Sequence, residues 1–343
     1  MQTRKTLLRV VRFAAAGALL VLVLSRAHWN DYQTADPSGV IATYPGILTC
    51  LRNVDPLMFI LSIIVSTLAL VVAALRWRML LRIQDVVIGA GESIKLGFIG
   101  ESFSAIIPGM ISGDAVKAYY VVRSTQRKGH VLASVIVDRM MGICGLVLFS
   151  WVALFFLGTH GGLNSGSLYV PAASAGVVTI GLLGGAAFLL SSRLRRVLHL
   201  DRLYQKLPFA KHVAAAGDAI RAYRQSGRRL VPCVVLTAVA QILGVAFVFF
   251  IGSGLGLDLP WCVYFAYVPL IMMISAIPVT PGAIGVMEGL YLLYFGSAGS
   301  PDTILALAIL IRAVLLCGAL PGVGFLAVGP PLPSGEDVKE FVV

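Results

Sequence analysis

Six ionisable side chains lie in stretches of the 343-residue chain that are otherwise apolar: Asp114, Lys117, Asp138, Arg139, Glu288 and Arg312. A charge at the bilayer centre costs roughly 2.5–3.5 kcal/mol on insertion scales, so each needs a partner or a ligand. Arg312 follows the start of an apolar run at Thr303. At 1.5 Å per residue it lies about 14 Å deep, too far in to reach the interface comfortably, and it requires an anion. Glu288 begins the return from a broken stretch, "ISAIPVTPGAIGVMEG", whose Pro281 and Gly282 interrupt a helix-grade sequence. Two readings stand together. Glu288 and Arg312 form a buried structural pair, or they line a cavity in which Arg312 is shared with a ligand's anionic head group.

Asp138 and Arg139 are neighbours in a long apolar run. Adjacent residues on a helix diverge by about 100°, so each needs a different partner. Asp114 precedes "AVKAYYVV" and suits a helix cap, with its carboxylate on exposed backbone N–H groups. The same helix start, with Lys117 one turn on, also suits a phosphate. Lys95 and Glu101 on the preceding limb are weaker binding residues, and Glu92 reads as interfacial.

Other chemistries find no support. The five cysteines, at 50, 144, 233, 262 and 317, form no CxxC pair, and the five histidines are scattered, so no metal, cofactor or disulfide framework is expected. There is no GxxxxGK[ST] motif for nucleotide phosphates. "GMISGD" lacks the glycine at Met110 or Ile111 that intramembrane peptidase motifs require. No enzymatic activity is expected, and no soluble basic face invites nucleic acid.

The elements holding these residues must be membrane helices, because 58% of residues are hydrophobic, 13% are charged and the mean hydropathy is +0.89. Six apolar runs approach or exceed the ~20 residues that cross a bilayer: Val10–Leu24 with its flanks, Leu57–Leu75, Val131–Leu157, Val170–Leu190, Leu230–Ile251 and Thr303–Val328. The first lacks a small-x-small cleavage site and reads as an uncleaved span. Positive charge orients them. Residues 193–229 hold ten Lys or Arg against two acids, and residues 76–130 are also basic, so both are predicted cytoplasmic. Both termini join them there. The 193–229 segment further suits an amphipathic surface held on anionic lipid.

That orientation leaves 86–112 and 261–297 entering and leaving on one side each, as re-entrant helical hairpins from opposite faces. "SAIIPGMISGD" (Ser104–Asp114) and "SAIPVTPGAIGVME" (Ser275–Glu288) share a Ser-Ala-Ile approach, a Pro-Gly break, a later Gly and a terminal acid. The predicted architecture is an all-α integral membrane protein with about six full spans, two re-entrant hairpins and an inverted repeat, 57–157 and 230–328. It forms one membrane domain over 1–330, followed by a short tail, 331–343.

Four motifs in order, "SAIIPGMISGDAVKAYYVVR", "ASVIVDRMMG", "PVTPGAIGVMEG" and "ILIRAVLLCGALPG", resemble the lysylphosphatidylglycerol synthase transmembrane, or flippase-like, family. The resemblance runs from about 57 to 328 and implies a lipid-translocating fold. It maps the family's functional acids and arginines onto Asp114, Asp138 or Arg139, Glu288 and Arg312. Two positions depart from the pattern. Asp138 stands where the family has Glu, shortening the reach of the charge, and Ala283 stands for a second Gly, which predicts a turn that does not need positive φ there. No aminoacyl-transferring soluble domain follows the last span, so synthesis of the charged lipid is not expected.

The expected function is a lipid flippase or transporter of the bacterial inner membrane, moving an amphipathic lipid with an anionic or phosphate-bearing head group between leaflets. The alternative is a non-transporting membrane partner that presents lipid to a separate glycosyl- or acyltransferase.

Overall fold

The computed structural model describes residues 27–35, 41–106, 113–125, 127–160, 165–190, 223, 227–276 and 280–328. The Val10–Leu24 span, nearly all of the 193–229 basic segment and the 331–343 tail lie outside them. The described chain is an all-α membrane protein with one small exception. Strands β1 (Tyr32–Ala35) and β2 (Ile41–Tyr44) pair antiparallel with Tyr32 opposite Tyr44, in the stretch between the first two apolar runs.

The helices, in order, are α1 (Ile47–Arg52), α2 (Pro56–Ile83), α3 (Ala90–Ile106), α4 (Gly113–Arg123), α5 (Lys128–His160) and α6 (Ser165–Leu190). They continue with α7 (Gly227–Gly254), α8 (Trp261–Ser275), a 3₁₀ turn (Pro281–Ala283), α9 (Val286–Phe295) and α10 (Pro301–Val328). Four helices, α2, α5, α7 and α10, are long and apolar enough to cross a bilayer among the described residues. The span expected at Val170–Leu190 falls in α6, where the described apolar stretch is the shorter Tyr169–Gly184.

These helices are apolar all round, because one face meets protein and the other lipid. On α2 the exposed stripe is Leu57, Ile60, Ile64 and Leu68, at helical spacing. α10 is an inner helix: 56% of its apolar window is buried, against 17% for α2.

Two series of four helices run alike along the chain. α2 and α7 are each 28 residues long, and the linkers that follow, 84–89 and 255–260, are of equal length. Both linkers end their helix the same way. Asp85 (φ 55°) and Gly256 (φ 76°) take the left-handed conformation. The next N–H then reaches back to a helix carbonyl, Val86 to Leu81 in one case and Leu257 to Gly252 in the other. Each series continues with two shorter helices and a long one.

By compactness the chain divides into two units. One holds the described residues within 1–67, 152–171 and 243–318; the other holds those within 68–151, 172–242 and 319–328. In the first, Ile47 and Cys50 of α1 pack with Leu305 and Ala306 of α10. Asp302 accepts from the His28 N–H at 2.8 Å, and Asp31 accepts from the Gly46 N–H at 2.9 Å. The Gly46 bond, with a further one from Thr49, holds the Asp31 carboxyl below its ordinary pKa. This tie is therefore present above the usual carboxylate value and is lost as pH falls through the lowered one.

In the second unit, Trp77, Leu81, Leu96, Ile99, Val116 and Val131 form a core between α2, α3, α4 and α5. Backbones make the closest approaches there. A Cβ on Gly113 would sit 1.8 Å from the Gly100 carbonyl oxygen, and one on Gly322 would sit 2.1 Å from that of Phe98. Gly113→Ala is expected to force α3 and α4 apart, at a cost of about 1–3 kcal/mol. A lowered midpoint in thermal unfolding of the purified protein is the check.

Candidate functional site

In the unit containing α4, the first turn of that helix carries a cluster of Asp114, Lys117 and Arg139, with the Glu101 carboxyl of α3 in electrostatic reach of all three. Asp114 is buried, and its two carboxylate oxygens face two different cations. Lys117 Nζ, one turn on, lies 2.7 Å from Oδ1, and Arg139 Nε of α5 donates to Oδ2. Both oxygens are taken by side-chain cations rather than by backbone N–H groups of the helix start. The hydroxyl of Ser104 in α3 meets the helix start instead, accepting from the Gly113 N–H at 3.1 Å. Lys117 is held further by the Trp77 ring, 5.5 Å away.

Arg139 differs from the other two. Its side chain is 62% exposed, against 18% for Lys117 and 8% for Asp114. Only its Nε is hydrogen-bonded among the described residues, which leaves both terminal nitrogens of the guanidinium open.

Asp138, its neighbour in sequence, turns the other way, as helical geometry requires. It accepts from Arg76 Nε of α2 at 2.8 Å, while Arg76 Nη1 donates to the Thr237 hydroxyl of α7 at 3.3 Å. Both side chains are nearly inaccessible, at 8% for Arg76 and 12% for Asp138. The shorter aspartate thus has a full partner. Sequence reading missed Arg76 because it stands with Arg78 and Arg82 at the end of α2, where all three count as orienting charge. The available signal was their spacing: residues two apart face nearly opposite sides of a helix. Arg78 accordingly turns elsewhere, donating to the Ile88 carbonyl at 3.0 Å.

In the other unit, Glu288 and Arg312 meet. Arg312 Nε donates to Glu288 Oε1 at 2.5 Å, and its Nη1 and Nη2 donate at 3.1 Å to the carbonyls of Gly282 and Ala283. Glu288 Oε2 accepts from the Gly285 N–H at 2.7 Å, tying the first turn of α9 back to its own start. All three guanidinium nitrogens are therefore engaged, with one N–H left on each of Nη1 and Nη2.

The break exists to aim those carbonyls. Gly282, Ala283 and Gly285 have φ of 62°, 52° and 81°. The expectation that Ala283 escapes positive φ is overturned: alanine stands in the left-handed region, which normally costs an L-residue roughly 1–2 kcal/mol. The bonds to Arg312 and the turn around Pro281 hold it there. Ala283→Gly is expected to raise stability by about 0.5–1 kcal/mol, part of the relief being offset by the freer unfolded chain. A thermal-unfolding comparison measures it.

The two acid–arginine pairs occupy matching places in the two helix series. Asp114 and Arg139 are 25 residues apart, Glu288 and Arg312 are 24 apart, and each acid opens the helix after a break. A sequence profile for the lysylphosphatidylglycerol synthase transmembrane region matches residues 10–322. The chain belongs to that family. Within the lysylphosphatidylglycerol synthase transmembrane family it is similar to a "UPF0104 membrane protein" of Methanothermobacter thermautotrophicus, 23% identical over 315 residues, covering 83% of this chain and 88% of the relative. It is also similar to a "UPF0104 membrane protein" of Pyrococcus horikoshii, 25% identical over 266 residues, covering 69% and 76%. Among the described residues no cluster of His, Cys, Asp and Glu is arranged to hold a metal ion.

Proposed function

We propose that this family member is a lipid flippase. It moves an amphipathic lipid with an anionic or phosphate-bearing head group between the leaflets of a bacterial inner membrane. It makes and breaks no covalent bond, and the lipid is its partner. The carrying observation is Arg139. With Lys117 it sets two cations beside the carboxyls of Asp114 and Glu101, and it presents a largely exposed guanidinium with two terminal nitrogens unused among the described residues. Such a group receives a phosphate or carboxylate in bidentate fashion. Arg312 already has a partner on each of its three guanidinium nitrogens, so Glu288–Arg312 serves as a clasp that shapes its hairpin.

On this reading α3–α4 and α8–α9 are re-entrant hairpins entering from opposite faces, both termini are cytoplasmic, and the two helix series are inverted repeats. Alternating exposure of the Arg139 site by movement of one repeat against the other accounts for transfer. The series' likeness in helix lengths, linkers and acid–arginine spacing supports the repeat.

The test is reconstitution in liposomes with a fluorescent phosphatidylglycerol analogue, reading how quickly inner-leaflet label becomes accessible to a membrane-impermeant quencher. Arg139→Gln is expected to slow transfer about tenfold or more, equivalent to losing one charge-assisted contact. Arg139→Lys recovers only part, because an ammonium lacks the planar fork. Unchanged transfer in both Arg139→Gln and Lys117→Gln would refute the site. Lipid binding without transfer by the unaltered protein would point instead to a lipid-presenting partner of a separate transferase.

A further inference from the structure

A second cluster of basic side chains lies at the opposite end of α4 from Asp114. Glu92, Lys95, Leu96 and Ile99 of α3, Tyr120 and Arg123 of α4, and Ser124 enclose a cleft of about 380 Å³. That volume is at the small end of ligand sites, which run from about 300 to 1,000 Å³. The floor is apolar, with Leu96 5% and Ile99 2% exposed.

Its cations rest on aromatic rings rather than on carboxylates. Lys95 lies 6.0 Å from the Phe325 ring and the Arg123 guanidinium 5.7 Å from the Tyr119 ring. Among the described residues neither cation has a carboxylate within ion-pair distance, although Glu92 lines the same cleft. The Tyr120 hydroxyl is shielded from solvent and has no hydrogen-bond partner among the described residues. A buried donor left so costs about 1–3 kcal/mol unless something accepts from it. Two cations, one waiting hydroxyl and an apolar floor together specify an acceptor-rich anion attached to an alkyl or glycerol body.

We propose that this cleft is a binding site for a phosphate ester, separate from the Asp114–Arg139 cluster. Lys95 and Arg123 neutralise the phosphate, Tyr120 donates to one of its oxygens, and Leu96 and Ile99 carry its apolar part. The assignment does not require that the protein translocate lipid. The phosphate can come from a lipid head group or from a free phosphate ester, and the test separates these sources.

Full-length protein in neutral detergent is titrated with phosphatidylglycerol in mixed micelles and, separately, with glycerol 3-phosphate, and binding is followed calorimetrically. Lys95→Gln with Arg123→Gln is expected to weaken binding about tenfold or more, and Tyr120→Phe about tenfold, with unfolding temperature little changed. Loss confined to the lipid probe identifies a head-group site; loss with both probes identifies a phosphate-ester site open to soluble ligands. The calorimetric component lost in the Lys95→Gln, Arg123→Gln variant is expected to persist in Arg139→Gln, which removes only binding at the Asp114–Arg139 cluster. The proposal is overturned if the unaltered protein binds neither probe. It is equally overturned if Tyr120→Phe and the double variant bind like the unaltered protein while Arg139→Gln loses affinity, which places the lipid at the other cluster.

Discussion

Asp138→Ala is expected to remove about 3–5 kcal/mol of stability, the largest single effect in the molecule, because it strands the Arg76 guanidinium where water cannot reach it. Arg76 is 8% exposed, and its remaining side-chain partner is the Thr237 hydroxyl at 3.3 Å, whose own proton is directed to the Cys233 carbonyl. A hydroxyl dipole cannot replace a carboxylate in a low-dielectric site. The free thiol of Cys233 offers the readout, since it is fully buried beside this pair. In a variant retaining only that cysteine, labelling by a thiol-reactive dye during heating is expected to begin at a lower temperature. Replacing both members with apolar residues of similar size, Arg76→Met with Asp138→Leu, is expected to recover most of the loss. If the single and double variants melt alike, the pair is not what holds α2 to α5.

Glu288→Ala ranks second, at about 3 kcal/mol, the low end of the buried-pair range because the Arg312 side chain is 29% exposed. The loss has two parts. Arg312 keeps its two carbonyl acceptors but loses its countercharge, and the Gly285 N–H at the start of α9 loses the carboxylate that closes it. Glu288→Gln separates them, because an amide oxygen still accepts from Gly285 while the charge is gone. A melting temperature for Glu288→Gln midway between the parent and Glu288→Ala is expected. In the liposome assay these variants should slow transfer only in proportion to the folded fraction. A Glu288→Gln protein that folds fully but does not transfer would return Arg312 to the ligand site.

The Glu288–Arg312 contact was legible in sequence because depth alone demands it: an arginine halfway along an apolar run must find the acid at the only nearby break. The divergence of Asp138 from Arg139 was legible too, from helical angle. What sequence could not separate was which arginine answers Asp138. α2 is apolar on every face, so its periodicity does not say which way Arg76 points. The partner of Asp114 was illegible for a related reason: an acid at a helix start reads as a cap from sequence alone, and only the position of Arg139 shows where its carboxylate goes. Ala283 misled because residue type was taken to report backbone conformation. Two hydrogen-bonded neighbours override a steric preference of roughly 1–2 kcal/mol. The β1–β2 pair escaped because four-residue strands leave almost no alternation to read.

Arg312 binds the turn around Gly282 through main-chain oxygens alone, and this bears on how the region can change over evolutionary time. An arginine that recognises side chains constrains their identity; one that recognises carbonyl directions constrains only curvature. Side chains at 282 and 283 are therefore free to drift among residues that tolerate left-handed backbone, with glycine and asparagine favoured and alanine admissible. Position 312 has no such latitude, since lysine offers one nitrogen where three are engaged. Distant relatives should thus diverge in the letters of the hairpin tip while preserving its shape, and a search for the motif is better anchored on the acid and the arginine than on the glycines between them.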